Sequence, residues 1–107
     1  MESLLALSTF PDPEIARAAV RTLVEKKLVA CGNIVTGVES IYRWQGKVES
    51  GQETLVLFKL AASAYDAFER ELRALHSYDV PELIAFRIEH GSRDYLKWIA
   101  ENSGTDS

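Results

Sequence analysis

The longest strand-like stretch of the chain is LVACGNIVTGVESIYRW, residues 28–44, and a second such stretch, KVESGQETLVLFKL, follows at residues 47–60. Between them stands Gln45-Gly46, which predicts a two-residue hairpin turn because glycine adopts a positive φ at little cost. Each strand is about 14 residues long, well above the usual length. The sequence therefore predicts one long β-hairpin whose tip projects beyond the body of a small domain.

Glycines interrupt this hairpin in both strands. We expect Gly32 and Gly37 in the first strand to mark β-bulges or close approaches of the backbone, and Ser50-Gly51 in the second strand to mark a bulge. From residue 53 onward the second strand alternates strictly, so its two faces carry different side chains. One face holds Glu53, Leu55, Leu57 and Lys59, and the other holds Thr54, Val56, Phe58 and Leu60.

Three helices are predicted around the hairpin. Asp12-Pro13 places an N-cap carboxylate before a proline at the first helical position, and Ser63 and Ser92 are the predicted caps of the second and third helices. An apolar run at residues 4–7 and an imperfect alternation of side chains at residues 82–89 predict the two remaining strands. The core stripe of the second helix is predicted to be Tyr65, Phe68, Leu72 and Leu75.

The resulting order, β-α-β-β-α-β-α, is that of an α+β domain with the ferredoxin-like split βαβ arrangement, a long central hairpin and an additional C-terminal helix. Right-handed crossovers place the two main helices on one face of a four-stranded antiparallel sheet. Only the short last helix is available to cover the apolar side chains of the other face, so another copy of the chain is the expected partner. We predict one domain over residues 1–102 and a polar tail over residues 103–107.

The composition argues against several classes of function. The chain has 107 residues, of which 16 are acidic and 12 basic, whereas proteins that bind nucleic acid usually show a basic excess. Cys31 is the one cysteine, which excludes an internal disulfide and any metal site built from several cysteines of one chain. The start, MESLLALSTF, lacks the positive charge of a signal peptide and no apolar run is long enough to span a bilayer. We expect a cytoplasmic protein with neither a nucleic-acid nor a membrane partner.

Five blocks, LVACGNI, SIYRWQGKVE, ETLVLFK, HSYDVPEL and EHGSRDYLKWI, occur in an order and at spacings that resemble the CutA family of divalent-cation tolerance proteins. The resemblance covers nearly the whole chain, with Gly32 where the family often has valine and Ser77 where it often has proline. It implies a ferredoxin-like fold and a homotrimer similar in architecture to the PII signalling proteins. It also implies a role in the response to metal ions, copper in particular.

The same resemblance implies that Cys31, His76 and Glu82 bind a metal ion at a cleft between subunits. Thiolate and neutral imidazole are suitable ligands for copper or another divalent cation, and no organic cofactor is expected. Each residue also has a structural interpretation that the sequence leaves open. Cys31 is then a small buried residue, His76 caps the last carbonyls of the second helix, and Glu82 pairs with Arg73 or Arg87.

The resemblance further places Glu53, Lys59 and Tyr78 in the intersubunit cleft. Tyr42 and Trp44, near the hairpin tip, are predicted to pack at the trimer interface because aromatic side chains dominate the buried centres of contacts, with stacking on a ligand as the alternative. No nucleophile–base set, P-loop or HExxH pattern occurs, so no enzyme is expected. The alternative to a trimeric metal-binding protein is a PII-like regulatory module that binds a small anionic ligand or a partner protein.

Overall fold

The computed structural model describes residues 2–104, and their strands and helices follow the predicted order. The four strands form an antiparallel sheet in the order β2-β3-β1-β4. This confirms the predicted α+β, ferredoxin-like arrangement. No helix within residues 2–104 is long and apolar enough to cross a membrane. The elements are β1 (Ser3–Phe10), α1 (Pro13–Glu25), β2 (Cys31–Trp44), β3 (Lys47–Ala61), α2 (Tyr65–Leu75), β4 (Leu83–Arg87) and α3 (Arg93–Glu101).

Side-chain caps begin two of the three helices. Asp12 Oδ1 accepts a hydrogen bond of 2.9 Å from the Ile15 N–H at the start of α1, and Ser92 Oγ accepts one of 3.1 Å from the Tyr95 N–H at the start of α3. The predicted Ser63 cap of α2 is wrong. The chain enters α2 through a single 3₁₀ turn, which continues directly into the helix without a side-chain cap.

The core lies between the sheet and helices α1 and α2. The alternation predicted for β3 is confirmed, because its even-numbered residues from 54 to 60 are buried while the odd-numbered ones from 53 to 59 are only partly covered. Phe58 of β3 meets Phe68 of α2 edge to face, with ring centroids 5.1 Å apart. Phe68 and Leu72 are fully buried, with Tyr65 and Leu75 packed beside them, which confirms the predicted stripe of α2.

The hairpin is as long as the sequence predicts, with strands of 14 and 15 residues in a molecule that measures 44 Å along its longest axis. Gln45 and Gly46 both have positive φ, 51° and 81°, and form the two-residue turn. The pairing shifts between Val35 and Val38, where Gly37 has a φ of 76°, so the bulge predicted there is confirmed. The bulge predicted at Ser50-Gly51 is wrong, because both residues continue the regular pairing with β2.

The face of the sheet opposite α1 and α2 is apolar and largely open. Helix α3 lies against one end of it, where the Lys59 Nζ atom is 5.8 Å from the centroid of the Tyr95 ring. Elsewhere large side chains remain accessible, among them Phe86 at 51% of its surface and Val35 at 41%. The register of the strands places on this face Leu5, Leu7, Val35, Leu55, Leu57, Ile84 and Phe86.

Ser103 and Gly104, which follow α3, are hydrogen-bonded to the body of the domain. Ser103 is buried, accepting a hydrogen bond of 2.8 Å from the Ala61 N–H and donating one of 2.7 Å to the Ile99 carbonyl. The Gly104 N–H donates to the Lys27 carbonyl at 2.9 Å. Ser103 is therefore part of the packed domain, whereas residues 105–107 of the predicted tail lie outside the described residues.

Gly32 marks a close approach between β2 and α1. A Cβ atom added there would lie 2.9 Å from Cγ1 of Val20, and valine, being β-branched, has little freedom to move aside. We expect Gly32→Val to lower the free energy of unfolding by about 1–3 kcal/mol through overpacking, as measured by denaturant titration. Gly51→Val is the matched control, because no described atom lies within 4 Å of its added Cβ.

A second substitution tests the origin of this loss. Val20→Ala, combined with Gly32→Val, is expected to recover part of the stability, since the smaller side chain makes room for the new one. The two changes must then be non-additive. Strict additivity, or a Gly32→Val variant as stable as the parent, would show that the contact with Val20 does not restrict this position.

Candidate functional site

A cleft of about 780 Å³ opens between the hairpin and the loop of residues 77–82 that connects α2 to β4. The end of β1 forms its floor through Thr9. Its size is typical of sites for small ligands. The side chains and backbone around it come from Thr9, Ser40, Ile41, Tyr42, Trp44, Glu53, Ser77, Tyr78, Asp79, Val80, Pro81 and Glu82.

The lining of the cleft is acidic. Glu53, Asp79 and Glu82 contribute three carboxyl groups, and the described lining residues include no lysine, arginine or histidine. Such a site attracts cations and repels anions. The carboxylates are spread around the opening, however, and no group of three His, Cys, Asp or Glu side chains within residues 2–104 is close enough to hold a metal ion.

Tyr78 connects the loop to the hairpin across the cleft. Its hydroxyl donates a hydrogen bond of 2.9 Å to Oε2 of Glu53. Partial burial and, after it, this hydrogen bond raise the pKa of Tyr78 to about 12, because an ionised phenol would lose water and face a carboxylate. The contact therefore occupies Oε2 of Glu53, whereas the other carboxylate oxygen, Oε1, is not bonded to Tyr78.

Glu82 holds the other end of the loop against β1. Its backbone carbonyl accepts a hydrogen bond of 2.6 Å from Ser8 Oγ, and its Oε1 accepts one of 3.4 Å from Thr9 Oγ1. The alternative pairing of Glu82 with Arg87 is not observed, since the carboxylate beside Arg87 is that of Glu2, at 3.5 Å. The Glu82 carboxylate remains solvent-exposed at the edge of the cleft.

His76 lies beneath the loop and does not line the cleft. Only 9% of its surface is exposed. Its Nε2 is 2.7 Å from the Thr9 carbonyl, and its Nδ1 accepts a hydrogen bond of 3.1 Å from the Tyr78 N–H. The alternative in which His76 caps the last carbonyls of α2 is therefore wrong, because the ring bonds to β1 and to its own loop instead.

Cys31 lies at the opposite end of the sheet from this cleft. Cys31 is opposite Lys59 of β3, whereas Thr9, at the cleft, is opposite Leu55 of the same strand. Leu55 and Lys59 are four residues apart, which corresponds to about 13 Å along the strand. The Cys31 Sγ is half-buried, 3.8 Å from the Tyr95 hydroxyl. One chain therefore does not bring Cys31 together with His76 or Glu82.

The remaining predicted site residues divide between these two regions. Glu53, Tyr78, Tyr42 and Trp44 all line the cleft. Lys59 does not, because it stands beside Cys31 and donates a hydrogen bond of 2.6 Å to Asn33 Oδ1. Ser8 and Thr9 anchor the loop but were not identified from the sequence, where they look like the ordinary end of a buried strand.

Comparison with known proteins places the chain among homologues. The family described as CutA1 divalent ion tolerance protein matches residues 4–102. The chain belongs to this family.

Relatives within the CutA1 family match over nearly the whole chain. The divalent-cation tolerance protein CutA of Thermus thermophilus is 47% identical over 94% of this chain and 97% of its own length. A solved structure of the divalent cation tolerance protein from Thermus thermophilus has a TM-score of 0.93 at 46% identity, covering 95% of this chain and 99% of that one. The crystal structure of CutA1 from Oryza sativa has a TM-score of 0.94 at 39% identity, and the match covers 100% of this chain and 97% of that one.

The partial burial of Tyr78, together with its hydrogen bond to Glu53, predicts a pH dependence of stability. The unfolded chain ionises tyrosine near pH 10, whereas folded Tyr78 keeps its proton until about pH 12, so the folded state binds more protons in this range. The free energy of unfolding should therefore decrease as the pH rises from about 10 to about 12. Tyr78→Phe should make this decrease with pH less steep, as measured by thermal or denaturant unfolding at a series of pH values. Tyr42→Phe, a change in the same cleft without this hydrogen bond, is the control.

Part of the slope will remain in the Tyr78→Phe variant, because burial also raises the pKa of Tyr65. A slope that Tyr78→Phe leaves unchanged, or reduces no more than Tyr42→Phe does, would show that burial and the contact with Glu53 do not raise the pKa of Tyr78 in solution.

Proposed function

We propose that this CutA1-family protein acts as a homotrimer that binds divalent cations, copper among them, at clefts between its subunits. The observation that carries the proposal is the acidic lining of the cleft, with three carboxylates and no basic side chain among its described residues. Relatives named for divalent-cation tolerance support the same ligand class. This is a binding function in the response to metal ions; a cytoplasmic location remains a prediction.

The trimer is supported by two features of one chain. An open apolar face of this kind is unfavourable in water unless another surface covers it. The hairpin also extends past the body, with every residue from 41 to 52 exposed, including Tyr42 and Trp44. We infer that neighbouring copies cover the face and that each hairpin packs against the next subunit.

The metal ligands must then come from more than one chain. The carboxylates of a single cleft do not converge, and Cys31 is on another part of the sheet. A neighbouring subunit that contributes Cys31 beside Glu53 or Glu82 would add a thiolate, which favours copper(I) or zinc over magnesium and calcium. If only carboxylates contribute, this preference should be absent.

The alternative of a PII-like module with a small anionic ligand finds no support in this cleft. An anion would lie among carboxylates without a basic side chain to pair with, and burying it there is unfavourable. A partner protein remains compatible with the exposed hairpin. We therefore keep the cation as the proposed ligand.

Metal titration tests the proposal. The purified protein is titrated with zinc, copper(II), magnesium and, under reducing conditions, copper(I), with a nucleotide panel beside them. Glu53→Gln and Glu82→Gln should each weaken binding about tenfold or more, by analogy with the loss of groups around known metal sites. Glu39→Gln, in the same hairpin but outside the cleft, is the control.

Two outcomes would contradict the proposal. The first is binding of an anion in place of any of these metal ions. The second is metal binding that the Glu53 and Glu82 variants leave unchanged. Cys31→Ser then decides the ligand set, because a shared thiolate site should lose its preference for copper(I) while a carboxylate site should not.

A further inference from the structure

Hydrogen bonds hold the loop of residues 77–82 to the domain at both of its ends. At its start, the ring of His76 bonds to the Thr9 carbonyl and to the Tyr78 N–H. The Tyr78 hydroxyl also bonds to Glu53, and at the end of the loop Ser8 Oγ donates a hydrogen bond to the Glu82 carbonyl. This loop supplies two of the three carboxylates of the cleft, so its position sets the geometry of any cation bound there.

The hydrogen bonds of His76 determine its tautomer. Nδ1 accepts from a backbone N–H and therefore carries no proton, whereas the Thr9 carbonyl is only an acceptor, so Nε2 must donate to it. Both nitrogens of the ring are thus in use. The ring is also enclosed, stacked on Phe10 at 4.5 Å and tilted against Tyr78 at 4.9 Å between centroids.

We infer that His76 is a positioning residue of the cleft and not a metal ligand. A metal ion at Nε2 would displace the proton donated to Thr9, and a metal ion at Nδ1 would displace the Tyr78 N–H. Either change leaves a backbone group without its partner next to the core, which is unfavourable. His76 instead holds the loop so that Tyr78, Asp79 and Glu82 face the cleft.

The inference concerns the cleft of the proposed function but does not require that a metal binds there. Its first test is the nitrogen NMR spectrum of the histidine rings in the intact wild-type protein, recorded with and without zinc or copper(I). We expect His76 to show a protonated Nε2 and an unprotonated Nδ1, both unchanged when the metal is added. A metal-dependent shift of either His76 nitrogen, or a different tautomer, would overturn the inference.

Substitutions provide the second test, with amide hydrogen exchange of residues 77–80 as the measurement. His76→Phe keeps an aromatic ring beside Phe10 but removes both hydrogen bonds, and exchange should accelerate about tenfold or more. His76→Gln restores a donor for Thr9 and should recover part of the protection. His90→Phe, at the second and exposed histidine, is the control and should leave the loop unchanged.

The two tests separate this inference from the proposed function. If the protein binds no metal, the tautomer and the exchange rates still decide the role of His76. If His76→Phe does not fold, the wild-type spectrum decides alone. Exchange as slow in His76→Phe as in the wild type would show that the hydrogen bonds of His76 do not position the loop.

Discussion

Val35→Asp is expected to convert the proposed trimer into monomers at micromolar concentration. Val35 lies on the open apolar face, paired with Leu55, and 41% of its surface is exposed in one chain. If neighbouring copies cover this face, every subunit of the trimer must bury one unpaired carboxylate. That burial costs about 2 kcal/mol or more for each copy, while the same side chain remains hydrated in a monomer. Sedimentation velocity or light scattering measures the change.

Val24→Asp is a closely matched control for this experiment. Val24 lies on α1, on the other side of the sheet, and its exposed fraction of 37% is close to that of Val35. The substitution introduces the same charge in place of the same side chain, and the assembly should remain trimeric. A wild-type protein that is monomeric at this concentration, or a Val35→Asp variant that stays trimeric, would contradict the assignment of this face to the interface.

Shortening the hairpin is expected to weaken assembly more than it weakens the fold of one chain. Replacing residues 41–50 with Asn-Gly joins Ser40 to Gly51, which are directly opposite in the register. Opposite residues in an antiparallel ladder alternate between hydrogen-bonded and non-hydrogen-bonded pairs. Ser40–Gly51 lies four residues from Trp44–Lys47, the pair that closes the native turn, so both pairs are of the same type. A two-residue turn is therefore compatible with the new position. The removed segment includes Tyr42 and Trp44 but no residue of the core cluster.

A single substitution isolates the aromatic contribution. Trp44, 51% exposed in one chain, is an interface anchor if it packs against a neighbour, and Trp44→Ala should then weaken assembly by about 2 kcal/mol or more. Trp44→Tyr retains an aromatic ring and should retain most of the affinity between subunits. An unchanged assembly state and melting temperature in Trp44→Ala would exclude the hairpin as an interface arm.

Local features of the fold could be predicted from the sequence because residues near one another in the chain determine them. The cap at Asp12 and the turn at Gln45-Gly46 each depend on a few neighbouring residues, and both are present. The alternation from Glu53 to Leu60 predicted which side chains share a face. Gly37 and Gly51 give the same signal in the sequence, yet only Gly37 has a positive φ at a shift in register.

Five of the twelve residues around the cleft are among the sites selected from the sequence, whereas Cys31, His76 and Lys59, also selected, do not line it. The sequence assigns Glu53 and Tyr78 to a cleft between subunits, Glu82 to a metal site, and Tyr42 and Trp44 to the trimer interface, and in one chain all five line the same cleft. The partners that hold the loop were not found in this way. Ser8 and Thr9 are more than 70 positions away from Glu82, and no pattern in the sequence links them to it.

The sequence by itself determined the order of the elements, the long hairpin, the two faces of the sheet and the chemical types of the candidate ligands. Only the tertiary structure decided which of those candidates meet. The register of β1, β2 and β3 separates Cys31 from the cleft by several residues of strand, and the approach of the loop to β1 occupies both nitrogens of His76. The physical reason is that hydrogen-bonded pairing between strands distant in sequence sets these distances, whereas the type of a side chain specifies only what it is able to bind.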